Sequence, residues 1–292
     1  MVLDIKNQEN HFYKNKGSRW LHMKQNLKGV SETLLIPLWA RAVEEEHPDP
    51  IIRDEKAAEI MKEIEYDFAK LDEEWPTQIS VVVRTEILDN ATKVFIKKHP
   101  DAVIINIGCG LDTRFSRLDN GRIHWYDLDL PEPIRIRRNF FDETDRYKMI
   151  ARSAFDYSWM DDVTHSESVL IISEGVLMYF TEEEVKDLMS KLATAFPGAE
   201  MLLETTSPSL VKQSQKQDLI KNQYSIDAKL QWGVKRGRKG MENLNSRIEF
   251  IQEWHYFDHH RERWKSIRWL ALIPPFKNRF GNRIVHIRFD SI

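Results

Sequence analysis

Two glycines and three acids are the residues of this 292-residue chain best placed to do chemistry. Gly108 and Gly110 follow the apolar, β-branched run AVIINI (102–107), and Asp127 and Asp129 close the next such run, which begins at Ile123. Glu174 closes a third, SVLIISE (168–174). Short, continuous apolar runs of this kind read as strands buried on both faces. Glycine at a strand's carboxyl end lets the chain turn sharply and lets a ligand approach the backbone. An acid at the end of the neighbouring strand can accept hydrogen bonds from ribose hydroxyls. Together these residues describe a nucleoside-cofactor site at the carboxyl edge of an α/β sheet. A tight strand-to-helix turn without a ligand can carry the same glycines.

The residues after the turn bear on which nucleoside it is. A dinucleotide fingerprint requires G-x-G-x-x-G and a helix N-terminus for the pyrophosphate. Here Gly110 is followed by Leu111, Asp112 and Thr113, so the third glycine is missing and an acid stands near the turn. That is a poor setting for a pyrophosphate and a reasonable one for an ammonium or sulfonium. It favours S-adenosylmethionine over NAD. Glu174 fits the same picture, because an acid closing an apolar strand needs a partner, and a bound sulfonium or ammonium would supply one.

These residues must be positioned by alternating strands and helices. Helical patterns are expected at 31–47, after an Asp54 cap, and from about Gln78 to Lys97, with a turn near Trp75-Pro76. The last of these places Ile79, Val82, Val83, Ile87, Leu88, Ala91, Val94 and Phe95 at helical spacing. Strands are expected at 102–107, 123–127, 148–154, 168–174 and 200–206, with a capping box at Thr181 to Glu184. Two more follow at 248–254 and 283–289. The pattern predicts a mainly parallel sheet with an antiparallel last strand. Residues 1–100 read as an N-terminal helical region packed on a core domain, 101–292. Within that domain 207–247 departs from the pattern, as a cap over the site or a solvated insertion, and KRGRKG (235–240) reads as a loop.

Composition narrows the classes. Hydrophobic content of 41% and charged content of 30% are ordinary for a soluble domain. A net charge of −3 makes no case for nucleic acid or an anionic membrane. No apolar run approaches the ~18 residues of a membrane span, and residues 1–30 are polar and lack the apolar core of a secretory signal. The single Cys109 excludes an intramolecular disulfide and a multi-cysteine metal site, so no metal is expected and a cytoplasmic setting is.

Several segments, in order, carry a resemblance: ARAVEEEHPDPIIRDEKA, VVVRTEILD, IINIGCGLDTRFSRL, WYDLDLPEPIRIRR, SAFDYSWMDD and IISEGVLMYFTEEEV. They resemble the leucine carboxyl methyltransferase family, and within it the bacterial O-methyltransferases of polyketide tailoring, over most of residues 31–206. The resemblance implies a Rossmann-like class I methyltransferase fold and S-adenosyl-L-methionine as cofactor. It further implies that Arg84 holds the methionine carboxylate, that Gly108 and Gly110 lie under the cofactor, and that Asp129, with Asp127 as nearby competitor, binds the ribose. Asp156, flanked by Tyr157, matches the position near the adenine amino group, with a helix cap as the competing role. Glu174 matches a family acid at the cofactor. Asp112 and Arg114 belong to the same motif, as an ion pair shaping the loop or as direct contacts. Arg41 matches a basic residue of the family's first segment, Tyr179 stands where it faces either the substrate or the core, and Cys109 reads as a small turn residue.

Methyl transfer to a carboxylate needs no general base, because the acceptor is already ionised near neutral pH. A phenol or alcohol acceptor benefits from one. His255, His259 and His260 are candidates by type alone, which favours carboxyl methylation, and the polyketide-tailoring likeness favours a small-molecule acceptor over a protein C-terminus. The catalytic residues and the oligomeric state are not legible. The rival readings are a non-catalytic nucleoside-binding module, and an NAD-type oxidoreductase against which the missing glycine argues.

Overall fold

The computed structural model describes residues 32–216, 229–235, 237–269 and 273–290. The expectations for residues 1–30 and for the middle of the 207–247 segment lie outside these residues. Three helices come first: α1 (Glu32–Glu45), α2 (Glu55–Glu63) and α3 (Trp75–Lys98). The sheet then begins with β1 (Val103–Ile107), α4 (Arg114–Leu118), β2 (His124–Asp129), α5 (Pro131–Arg137) and β3 (Tyr147–Ala151). It continues with β4 (Val169–Ser173), α6 (Glu182–Ala195), β5 (Glu200–Thr205), α7 (Pro208–Lys216) and α8 (Gly237–Glu242), and ends with β6 (Ile248–His255), α9 (Pro274–Phe280) and β7 (Arg283–Phe289).

The seven strands lie in the order β3-β2-β1-β4-β5-β7-β6. The first five are parallel, and β7 runs against both β5 and β6, so the last strand alone is reversed. Alternation along each strand feeds two cores. Ile104, Trp125, Leu170, Leu202 and Ile284 face α1 to α3, meeting Leu38, Ile60, Val83 and Leu88. Ile105, Leu128, Ile171, Leu203 and Val285 face the other way, onto Val185, Leu188, Met189 and Leu192 of α6. The helical N-terminal residues therefore pack directly on the sheet. No described helix is long and apolar enough to cross a membrane.

Local signals explain most boundaries. Asp54 caps α2 by accepting from Ala57 N at 3.0 Å, and Thr181 and Glu184 form a reciprocal capping box on α6. Three expectations change. Trp75-Pro76 does not make a turn but opens α3, since proline in a first helical turn lacks only an N–H that has no intrahelical acceptor. Val94 shares the expected spacing yet is exposed, because α3 buries a different arc. KRGRKG is not wholly a loop, for α8 starts at Gly237, where Gly237 N donates to Glu253 Oε2 at 3.1 Å. Pro37 lies inside α1.

Candidate active site

The carboxyl ends of β1, β2, β4 and β5 bring the chemically competent residues to one edge. After β1 the chain turns through Gly108 (φ +68°) and Gly110 (φ +46°), conformations that favour glycine. Gly108 is also the point of close approach: a Cβ there would lie 2.2 Å from Val176 Cγ2. The turn is tied to β2, since Gly108 N and Cys109 N both donate to Leu128 O, at 2.7 and 3.2 Å. Asp129 completes the tie, accepting from Gly110 N at 2.8 Å and from Leu130 N at 2.7 Å. Each Asp129 oxygen keeps an acceptor position, and the residue is half-buried. Burial raises its pKa above the usual aspartate value, opposed by those two N–H groups.

Asp127 is placed differently. It is fully buried and accepts from Asn106 Nδ2, Trp125 Nε1 and the Tyr147 hydroxyl, and it pairs with Arg137 Nη2 at 2.5 Å. A carboxylate has about four acceptor positions, and all are taken. Asp127 braces β2 beneath the turn with no acceptor position left over, whereas Asp129 keeps one on each oxygen.

Arg84, carried on α3, stands at the carboxyl ends of β4 and β5. Its Nη2 pairs with Glu174 Oε1 at 2.7 Å and its Nη1 with Glu204 Oε2 at 2.8 Å. Burial disfavours the guanidinium charge, but the Glu174 and Glu204 carboxylates outweigh it and raise the Arg84 pKa. Glu174 also accepts from Arg114 Nη2 at 2.7 Å. Burial would raise its pKa, and Arg84 and Arg114 together hold it below the usual glutamate value. The partner expected of a bound cation is thus supplied by two arginines, each on a different oxygen.

Arg114 and Asp112 form the ion pair within the loop, at 2.5 Å, and Arg114 Nε reaches Asp89 at 2.7 Å. Arg41 binds Asp54 and donates to Leu111 O, so α1 holds the same loop from outside. Asp54 also accepts from Arg117 Nη1 at 2.6 Å and from the Thr113 hydroxyl. The buried Cys109 thiol is pushed up by burial and takes no part in these contacts.

The adenine-side residues are less gathered. Asp156 is exposed and caps the short turn that follows β3, accepting from Ser158 Oγ at 2.6 Å and Ser158 N at 3.3 Å. Tyr157 donates to Asp187 on α6 at 2.5 Å. Tyr179 is half-buried, and burial followed by the Glu204 charge raises its pKa. The histidines have other partners: His260 meets Glu86 on α3 at 2.7 Å, and His255 stands 3.6 Å from Glu253. His259 is lowered by burial.

Glu204 escaped sequence reasoning, although its signal was present: it nearly closes strand EMLLETT as Glu174 closes SVLIISE. Asp89 gave no signal, since its partners Arg114 and Arg117 stand on α4, 25 and 28 residues away.

The donor set fits S-adenosylmethionine. A guanidinium has five N–H groups; single contacts to Glu174 and Glu204 leave others over, and the buried Arg84 Nε has no acceptor. Arg84 beside Glu174 offers a cation and an anion to the carboxylate and ammonium of an amino-acid moiety. The acids Asp112 and Asp129 at the glycine turn suit a cofactor without phosphates.

The sequence profile of leucine carboxyl methyltransferase matches residues 35–193, more than half of the chain. The tetracenomycin polyketide synthesis O-methyltransferase TcmP of Streptomyces glaucescens is 29% identical over 233 residues, 80% of this chain and 85% of that protein. The S-adenosyl-L-methionine-dependent methyltransferase dpfgK of Gibberella zeae is 32% identical over 191 residues, 59% of this chain and 63% of that protein. Among solved structures, magnesium protoporphyrin IX methyltransferase from Synechocystis with bound SAH covers 81% of this chain and 94% of that one, at 12% identity and a TM-score of 0.46. The parallel sheet with its single reversed strand is the Rossmann-like class I methyltransferase arrangement. The chain belongs to the leucine carboxyl methyltransferase family and is an S-adenosylmethionine-dependent O-methyltransferase.

Proposed function

We propose that the chain methylates a carboxylate oxygen of a small organic acid in the cytoplasm. The carrying observation is the Arg84 clamp between Glu174 and Glu204, with a buried Nε free for the methionine carboxylate. In this reading Glu174 takes the cofactor's ammonium, Asp129 its ribose, and Gly108 and Gly110 lie beneath it. Asp156 and Tyr157 flank the adenine, Asp156 through the oxygen its cap leaves free. Of the 207–247 segment, residues 229–235 act as a cap: Gln231 N and Trp232 N both donate to Met178 O in the SEGVLMYF segment, at 2.8 and 3.2 Å. The relative TcmP supports a small-molecule acceptor, and the buried single cysteine suits a reducing compartment.

The cofactor, when bound, supplies a methyl group already activated as a sulfonium. Transfer from it would form a carbon–oxygen bond as the carbon–sulfur bond broke, the sulfur keeping the electron pair. With a carboxylate acceptor no proton moves, so the protein's work is alignment and exclusion of water. Alignment of this kind contributes up to ~7–11 kcal/mol in well-oriented systems. Arg84, Glu174 and Asp129 fix the two ends of the cofactor, and their own positions are fixed by the ion pairs behind them.

The test uses purified protein, methyl-labelled cofactor, and a panel of small carboxylic acids, phenols and a leucine-terminated peptide. A carboxyl methyl ester releases methanol in mild alkali and an aryl methyl ether does not. Alkali-labile label on a small acid is the expected result. Alkali-stable product would make the acceptor a hydroxyl, label on the peptide alone would make it a protein terminus, and no product at all would remove the acceptor class.

A further inference from the structure

Among the described residues a second buried donor near Arg84 makes no well-formed hydrogen bond, although the Glu204 carboxylate lies beside it. Tyr256 follows β6 directly, at the sheet edge where β5 ends at Thr205 and β7 begins. It packs in the same core as α3, together with Phe257, Trp264 and Ile284. Tyr256 is 2% exposed, yet its hydroxyl oxygen has no hydrogen-bond partner. Arg84 Nε is in the same condition. Buried polar atoms are normally satisfied, so two orphans at one place need an explanation.

The two groups are close enough for their charges to couple. Burial and the Glu204 charge raise the tyrosine pKa, and Arg84 opposes that rise. The phenol therefore stays protonated and remains a donor at any working pH. A neutral donor is what the site otherwise lacks. Glu174 and Glu204 already press two carboxylates against the one guanidinium of Arg84. A third carboxylate arriving there is repelled by both, and a hydroxyl gives it a hydrogen bond without adding charge to the cluster.

We propose that Tyr256 is a cofactor-binding residue whose hydroxyl, together with Arg84 Nε, receives the carboxylate of the methionine moiety. The proposal rests on the assignment of Arg84 to that carboxylate. It places part of the cofactor site on the hairpin of β6 and β7, beyond the 35–193 stretch that matches the family profile. It also gives the reversed strand a task, since β7 is what brings β6 and Tyr256 to the edge next to Glu204.

Calorimetric binding to the intact protein tests this with three probes: S-adenosylhomocysteine, its decarboxylated analogue, and methylthioadenosine, which lacks the whole amino-acid part. Tyr256→Phe removes one oxygen and leaves the ring in its core. The substitution should weaken S-adenosylhomocysteine about ten-fold or more, the usual effect of losing a hydrogen bond to a charged group. It should leave the other two probes unchanged. The same loss should persist in a Glu204→Gln background. Unchanged affinity for S-adenosylhomocysteine, or an equal loss for all three probes, overturns the proposal. So does a loss that vanishes in the Glu204→Gln background, which would mean that Tyr256 acts only by holding Glu204. Failure of the underlying assignment reads differently: wild-type protein would bind methylthioadenosine as tightly as S-adenosylhomocysteine.

Discussion

Replacing Gly108 by alanine puts a methyl group where Val176 already stands. The added carbon would lie 2.2 Å from Val176 Cγ2 and 3.2 Å from its Cβ and Cγ1. Carbon atoms pack at about 3.5–4.0 Å, so something must yield by about 1.3 Å, and a β-branched side chain has little freedom to do so. Overpacking of this kind costs about 1–3 kcal/mol. The backbone adds a second cost, because φ is +68° and a left-handed alanine is disfavoured by roughly 1–2 kcal/mol. The sum is about 2–5 kcal/mol, a fall of roughly 3–8 °C in Tm for a chain of this size. Gly110→Ala is the control. Its φ is +46°, but its new carbon would meet only Leu34 Cδ2, at 3.0 Å, the tip of a flexible side chain, so the backbone cost alone should appear. Urea denaturation of Gly108→Ala, Val176→Ala and the double variant separates the two costs. The double variant should recover about 1–3 kcal/mol as a coupling energy. If Gly108→Ala is no worse than Gly110→Ala, or the coupling is below ~0.5 kcal/mol, the close approach of the SEGVLMYF segment to the glycine turn is not what fixes Gly108.

Arg137→Met strips Asp127 of its counter-charge while leaving Asn106, Trp125 and Tyr147 in place, and should cost about 3–5 kcal/mol by urea denaturation; a loss below ~1 kcal/mol would mean that the neutral donors suffice. Asp129→Asn should weaken methylthioadenosine about ten-fold or more by calorimetry, through lost hydrogen bonds from the ribose to a charged acceptor; unchanged affinity would place the ribose elsewhere. Glu253 is held down at about 2, chiefly by His255 against the opposing effect of burial, and then by Arg283. A depressed folded-state pKa gives stability that is complete above the unfolded value of about 4.5 and is lost as pH falls towards 2. Tm should therefore fall more steeply between pH 4.5 and 2 in the wild type than in Glu253→Gln, and parallel curves would show that the Glu253 contacts add nothing.

The strands were legible because burial on both faces leaves an uninterrupted β-branched run, and 102–107 or 168–174 has no competing helical reading. The Asp54 cap and the Thr181–Glu184 box were legible because each is completed within three or four residues. Long-range pairing was not. Nothing in 283–289 says that β7 lies between β5 and β6 rather than at the edge, since that choice is made by register across the sheet. Asp127 and Asp129 look alike in sequence and, two residues apart, share one face of β2, yet Asp127 lies within the sheet on Arg137 and Tyr147 while Asp129 ends the strand at the rim. The partners of Glu174 come from α3 and from the start of α4, so the acid was visible and its environment was not. KRGRKG misled because charge and glycine argue against a helix, whereas the tertiary contact of Gly237 N with Glu253 anchors one there.

The ion pairs behind the glycine turn have a consequence for how the molecule comes apart. Asp54 on the edge of α2 and Asp89 on α3 pair with Arg41, Arg114 and Arg117, alongside Asp112 and Glu174, and the last two of these arginines belong to α4. Detaching the first three helices would leave Arg114 and Arg117 without Asp54 and Asp89 in a poorly solvated setting. Local opening of that region is therefore penalised almost as heavily as unfolding of the sheet. Amide exchange in α2 and α3 should accordingly run at the rate of β1 and β4, and a chain cut back to the first strand should not hold a native sheet. The helices that precede the cofactor turn are, in this sense, the second half of its foundation, laid first in the chain.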